Sequence, residues 1–63
     1  MKIGNIYKCL GSPFRGQLFV YLGEVEDHFD NLKKSFYWQR LFSFKQGKII
    51  LSSIPCEEFE LFE

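Results

Sequence analysis

A chain of 63 residues cannot hold two independently stable units, since a domain this short buries only about 60% of the surface its unfolded chain exposes. Disorder is excluded too, because 46% of the residues are hydrophobic and 19% aromatic, whereas chains that fail to fold are poor in both. The net charge is zero, but it is laid out in blocks: basic through Lys2, Lys8 and Arg15, acidic from Glu24 to Asp30, basic from Lys33 to Lys48, acidic from Glu57 to Glu63.

Ile3 to Leu10 reads as a first strand, with Ile6, Tyr7, Cys9 and Leu10 available for packing and the Gly11-Ser12-Pro13 cluster as its stop. The loop Gly11 to Gly16 then holds Phe14 and Arg15 between a proline and a glycine, which constrains both side chains. Gln17 to Val25 carries the clearest strand signal. Leu18, Val20 and Leu22 share one face at period two, and Phe19 and Tyr21 share the other. Gly23 marks a bulge or bend, because glycine weakens a strand unless the geometry requires it.

From Glu24 to Ser35 the composition turns polar and reads as a long loop with at most a short helical turn anchored by Phe29 and Leu32. A third strand follows over Phe36 to Phe44. Phe36, Trp38, Phe42 and Phe44 alternate there with Tyr37, Gln39, Leu41 and Ser43. Lys45-Gln46-Gly47-Lys48 is a hairpin loop, after which Ile49-Ile50-Leu51 opens a fourth strand. Leu18, Val20, Leu41, Ile49 and Leu51 are the expected protected core of these strands.

Ile54-Pro55 ends the fourth strand, since proline cannot donate to a ladder. Pro55 suits the start of a helical turn whose positive end favours Glu57 and Glu58. Phe59 to Glu63 then closes the sheet as a short fifth strand, with a helix from Pro55 as the competing reading.

The segments Gly4-Asn5-Ile6-Tyr7, Phe19-Val20-Tyr21-Leu22-Gly23, Gln39-Arg40-Leu41-Phe42 and Pro55-Cys56-Glu57-Glu58-Phe59 resemble the successive strands and terminal turn of small SH3-like domains. Bacterial and phage genomes encode many such domains as short proteins. The resemblance implies an all-β fold, a small SH3-like barrel of four to five strands with a long polar loop and a short helical turn near the C-terminus. It departs from signalling SH3 domains, which carry an Ala-Leu-Tyr-type first strand and a paired-tryptophan site. Trp38 is the only tryptophan here, so recognition of proline-rich peptides is not implied.

Catalysis is not expected. His28 is the sole histidine, set among Glu26, Asp27 and Asp30 and read as a surface loop residue. Cys9 and Cys56 lack a partnering base and the paired spacing of a zinc site, so they read as buried free thiols, with no metal and no cofactor. No run of about 18 apolar residues occurs, and Met1 to Asn5 has no signal-peptide character, so a cytoplasmic protein is expected.

Two binding functions remain. Both faces of the second and third strands are apolar, yet one small sheet has a single inside, so part of this surface must be covered by a loop, a terminus or another chain. This points to a protein-binding module, pairing with a second copy or a larger protein through Phe14, Arg15, Phe19, Tyr21, Tyr37, Trp38 and Arg40. In a two-fold dimer the acidic terminus Glu57 to Glu63 would lie against the partner's basic Lys45 to Lys48. The alternative is a single-stranded nucleic-acid binder in which Arg15, Lys33, Lys34, Arg40, Lys45 and Lys48 meet phosphates beside Tyr37 and Trp38. The pI of about 6.6 lies far below the basic balance usual for such domains.

Overall fold

The structure is a computed structural model that describes residues 1–29 and 34–62. It is all-β: strands β1 (Ile6–Cys9), β2 (Leu18–Phe29), β3 (Lys34–Ser43), β4 (Lys48–Ser52) and β5 (Phe59–Leu61), with a 3₁₀ turn over Cys56–Glu58. The strands form one antiparallel sheet in the order β4-β3-β2-β1-β5. β4 and β5 stand at opposite ends of that order and no ladder joins them among the described residues, so the sheet is not closed. No helix among the described residues is long and apolar enough to cross a membrane.

The hairpin at Lys45 and the turn at Pro55 follow local chemistry. Gly47, at φ +68°, donates its N–H to the Ser43 carbonyl at 2.8 Å, and Ser43 Oγ accepts from the Gln46 N–H at 3.1 Å. Pro55, with φ −59° and ψ 150°, precedes the 3₁₀ turn, and Glu57 and Glu58 occupy its first turn. The chain leaves this turn directly into β5, so the competing C-terminal helix does not form.

The described residues of the long polar loop form strand. β2 continues to Phe29 and pairs with β3 through Glu24↔Gln39, Val25↔Trp38, Glu26↔Tyr37, Asp27↔Phe36, His28↔Ser35 and Phe29↔Lys34. Composition misleads here because a two-stranded ribbon has no covered face to demand alternating apolar residues. The β-forming run Phe36-Tyr37-Trp38 supplies the propensity, and the ladder satisfies the backbone groups of the polar strand opposite. His28 therefore lies within a strand, one residue before its end, instead of in a loop. Leu32 and Lys33, placed in that loop on sequence, lie outside the described residues. The ribbon makes the molecule elongated, 40 × 21 × 20 Å.

Between Tyr21 and Gly23 the β2–β3 register slips, and Gly23 stands at φ +113°. An L side chain is strained at that angle, so glycine is required by conformation; a Cβ there would meet only the Ile3 side chain, at an ordinary 3.6 Å or more.

The core lies on the inner face and consists of Tyr7, Cys9, Phe19, Tyr21, Leu41 and Phe59. Its rings meet edge-on: Tyr7 with Tyr21 at 6.4 Å, Phe14 with Phe19 at 5.8 Å, and Phe19 with Phe59 at 6.3 Å. Of the expected core only Leu41 is fully buried; Leu18 and Val20 are half-buried, while Ile49 and Leu51 are exposed. The Phe19–Tyr21 face turns inward, and Val20 pairs across the opposite face with Ile6 and Phe42. Leu10 is likewise exposed, because β1 ends one residue earlier. Cys9 is a buried free thiol, but Cys56 is exposed, since the 3₁₀ turn that carries it buries none of its residues.

Phe19→Ala should cost about 3–5 kcal/mol, the usual range for emptying a buried phenylalanine site, whereas Leu51→Ser should stay within roughly 0.5 kcal/mol as an outer-face change. Urea unfolding at concentrations too low for association measures both. Gly23→Ala should cost about 1–3 kcal/mol through its positive φ alone, and a neutral result would show that the bulge relaxes.

Candidate functional site

The outer face is where the apolar surplus goes. Across four strands runs the row Ile6, Val20, Phe42 and Ile49, and beside it Arg40 pairs with Leu51. Along the ribbon the same face continues with Val25 beside Trp38 and Asp27 beside Phe36, while Gly23, opposite Arg40, adds no side chain. Phe44 follows β3 and meets Phe42 edge-on at 5.7 Å. Leu51 is 55% exposed and Ile49 52%, with Phe36 and Phe44 also exposed and Trp38 half-buried. Arg40 and Asp27 are exposed charges within this apolar field.

These placements split the residues singled out on sequence. Trp38 and Arg40 lie on the outer face. Tyr37 shares the ribbon's other side with Glu24 and Glu26 and is 61% exposed. Phe19 and Tyr21 are buried in the core, whereas half-buried Phe14 packs edge-on against Phe19 and keeps part of its surface exposed. The sequence shows each of these rings beside a charge or a turn, but not that they pack on one another. Arg15 is exposed in the loop between β1 and β2.

The nucleic-acid set is not brought together. Lys34 opens β3 and Lys45 lies in the turn past its other end, so the length of the ten-residue strand, about 30 Å at the rise of a strand, separates them. Arg40 stands between on the outer face, Lys48 pairs with Ser43 on the inner one, and Lys33 lies outside the described residues. Asp27, Phe36, Ile49 and Leu51 were missed as surface contributors. The signal available for them was the alternation Phe36, Trp38, Phe42, Phe44, interrupted by Arg40, which a buried face would not tolerate without a partner charge.

The inner face holds the polar surprises. Gln39, Ser43 and Ser52 are buried, whereas Trp38, Phe42 and Leu51 beside them in sequence lie on the opposite face. Ser52 Oγ accepts from the Ile54 N–H at 3.1 Å, and Gln39 Nε2 donates to Cys56 Sγ at 3.0 Å. Gln39 Oε1 is buried with no hydrogen-bond partner, a state that costs on the order of 1–3 kcal/mol. Between this end of the inner face and the 3₁₀ turn lies a cleft of about 290 Å³. Among the described residues no three of His, Cys, Asp or Glu come together as a metal site.

Comparison with known proteins adds no label to this geometry: no family model, no curated protein and no solved structure matches the chain.

Burial first, then Glu24, Cys56 and Tyr7, hold the Tyr21 hydroxyl above the ordinary phenol value of 10.0. The folded state thus keeps this proton after the unfolded chain has released it. The corresponding stability is complete below pH 10.0 and is lost as pH rises toward the folded value. Thermal melts from neutral to strongly alkaline pH should show a steeper alkaline decline in the native chain than in Tyr21→Phe. Identical declines would mean that Tyr21 ionises as freely in the fold as outside it.

Proposed function

We propose that the protein is a non-catalytic interaction module whose outer sheet face pairs with the same face of a second copy. The supporting observation is the self-complementary order of that face along the ribbon: Gly23 with Arg40, then Val25 with Trp38, then Asp27 with Phe36. Successive pairs are two residues apart, about 6.6 Å at the rise of a strand. A two-fold axis lying between two stacked ribbons and crossing them at Val25 and Trp38 would set each Arg40 over the copy's Phe36. The copy's Asp27 would then lie beside Arg40, opposite Gly23, where no side chain stands in the way. Both Trp38 rings would meet at the centre, where desolvated aromatic anchors contribute most to binding. The arrangement is isologous, so one patch provides both halves of each charge pair.

This pairing also answers the apolar surplus, because Ile49, Leu51 and Phe44 continue the same face beyond Arg40. It differs from setting the acidic terminus against Lys45 and Lys48, because both charges of each pair and their apolar neighbours lie on one ribbon face. Two cysteines without a disulfide suit a reducing, cytoplasmic setting.

Sedimentation equilibrium at micromolar concentration checks the reading. Arg40→Glu and Asp27→Lys should each weaken the dimer by about tenfold or more, as close interfacial charge pairs couple by at least ~1.5 kcal/mol. The double exchange, Arg40→Glu with Asp27→Lys, should restore most of the loss. A native chain that stays monomeric throughout, or a double variant no better than either single one, would overturn the two-fold pairing.

A further inference from the structure

We propose that the cleft between the ribbon's inner side and the 3₁₀ turn is a binding site for a guanidinium or alkylammonium group. It lies on the sheet face opposite the proposed pairing surface and does not depend on that pairing.

At about 290 Å³ the cleft is at the small end for ligand sites, suited to one long side chain or a small amine. At its buried end stands Gln39, 7% exposed. The bond from Nε2 to Cys56 Sγ fixes the amide and leaves Oε1 as a buried acceptor without a donor. What that oxygen lacks is an N–H or O–H from outside the chain. Glu24 and Glu57 place two carboxylates on the walls, and none of the described lining residues is basic, so an anion is disfavoured and a cation favoured. Tyr37 offers an exposed ring face to a cation, while Ile54 can cover an aliphatic stem. A guanidinium uses all of these at once, since its plane stacks while its several N–H groups reach Oε1 and a carboxylate together.

The group could arrive on a free amine or on an arginine of another protein. NMR titration of the ¹⁵N-labelled chain with agmatine, with acetyl-Gly-Arg-Gly-amide and with the isosteric neutral citrulline peptide separates these cases. Saturable shifts of the Gln39 side-chain amide and of the Ser53 and Cys56 backbone amides are expected with both arginine-type probes. The citrulline peptide should bind about tenfold more weakly or worse, because charge-assisted hydrogen bonds are the stronger ones. Glu24→Gln combined with Glu57→Gln exchanges exposed side chains, so it should reduce affinity about fivefold or more while leaving the melting temperature unchanged. Agmatine binding as tightly as the peptide assigns the site to free amines, and a peptide at least about tenfold tighter assigns it to a protein side chain. Citrulline and arginine peptides of equal affinity, or no saturable shift in the cleft, would overturn the proposal. Repeating the titration with Arg40→Glu, which disrupts the proposed dimer, should give the same affinities and so keeps the two readings separate.

Discussion

Phe19 sits where β2 is paired on both sides, by Tyr7 of β1 and Ser43 of β3, and it is wholly excluded from solvent. Its ring takes Phe14 edge-on from the loop before β2 and Phe59 edge-on from the last strand. Three segments far apart in the chain are thereby tied to one side chain. Because strand side chains alternate with period two, the inward turn of Phe19 forces Val20 outward. Through the ladder it also forces out Ile6, Phe42 and Ile49. The exposed apolar face is therefore a consequence of how the core closes.

The bulge at Gly23 changes that parity for the rest of β2. Before it the odd-numbered residues Phe19 and Tyr21 face inward; after it the even-numbered Glu24 and Glu26 share the side of Gln39 and Tyr37. An uninterrupted strand would have set Val25 on the inner side and Glu24 on the outer one. The slip instead gives Trp38 an aliphatic neighbour on the outer face and brings a carboxylate to the inner cleft. One residue able to hold φ +113° thus sorts charge and apolar surface onto opposite sides of the ribbon.

The two faces then have different physical characters. The outer one is broad, apolar and marked by isolated charges of both signs, the composition of a surface that gains from being covered. The inner one, beyond the core, narrows to a small cleft in which a buried amide and two carboxylates stand beside Tyr37, Ile54 and Pro55. A single open sheet in a chain this short has too little interior to hide twelve aromatic rings, so some of them remain as surface.

Several parts of this fold were legible in the residues alone, and each depends on neighbours in sequence. Gly47 before Lys48 fixes the hairpin, Pro55 fixes the turn and the entry to β5, and Gly23 marks the bulge. The candidate surface was legible by halves: Trp38 and Arg40 stood out by type, whereas Phe19 and Tyr21 stood out equally and turned inward. Alternation assigns residues to two faces but does not say which is the inside when both are apolar. That sign came from Phe14 and Phe59 closing on Phe19, contacts between segments that no local pattern couples. The strand in the polar stretch after Gly23 was hidden for a related reason, since its stability lies in the ladder to Phe36, Tyr37 and Trp38 and not in its own composition. Sequence by itself determined an all-β chain, its turns and its aromatic surplus, because these follow from backbone preference and side-chain period. Only the tertiary structure decided which aromatics form the core, which face is left open, and that Gln39 is buried against Cys56, because each of these depends on which distant strands come together.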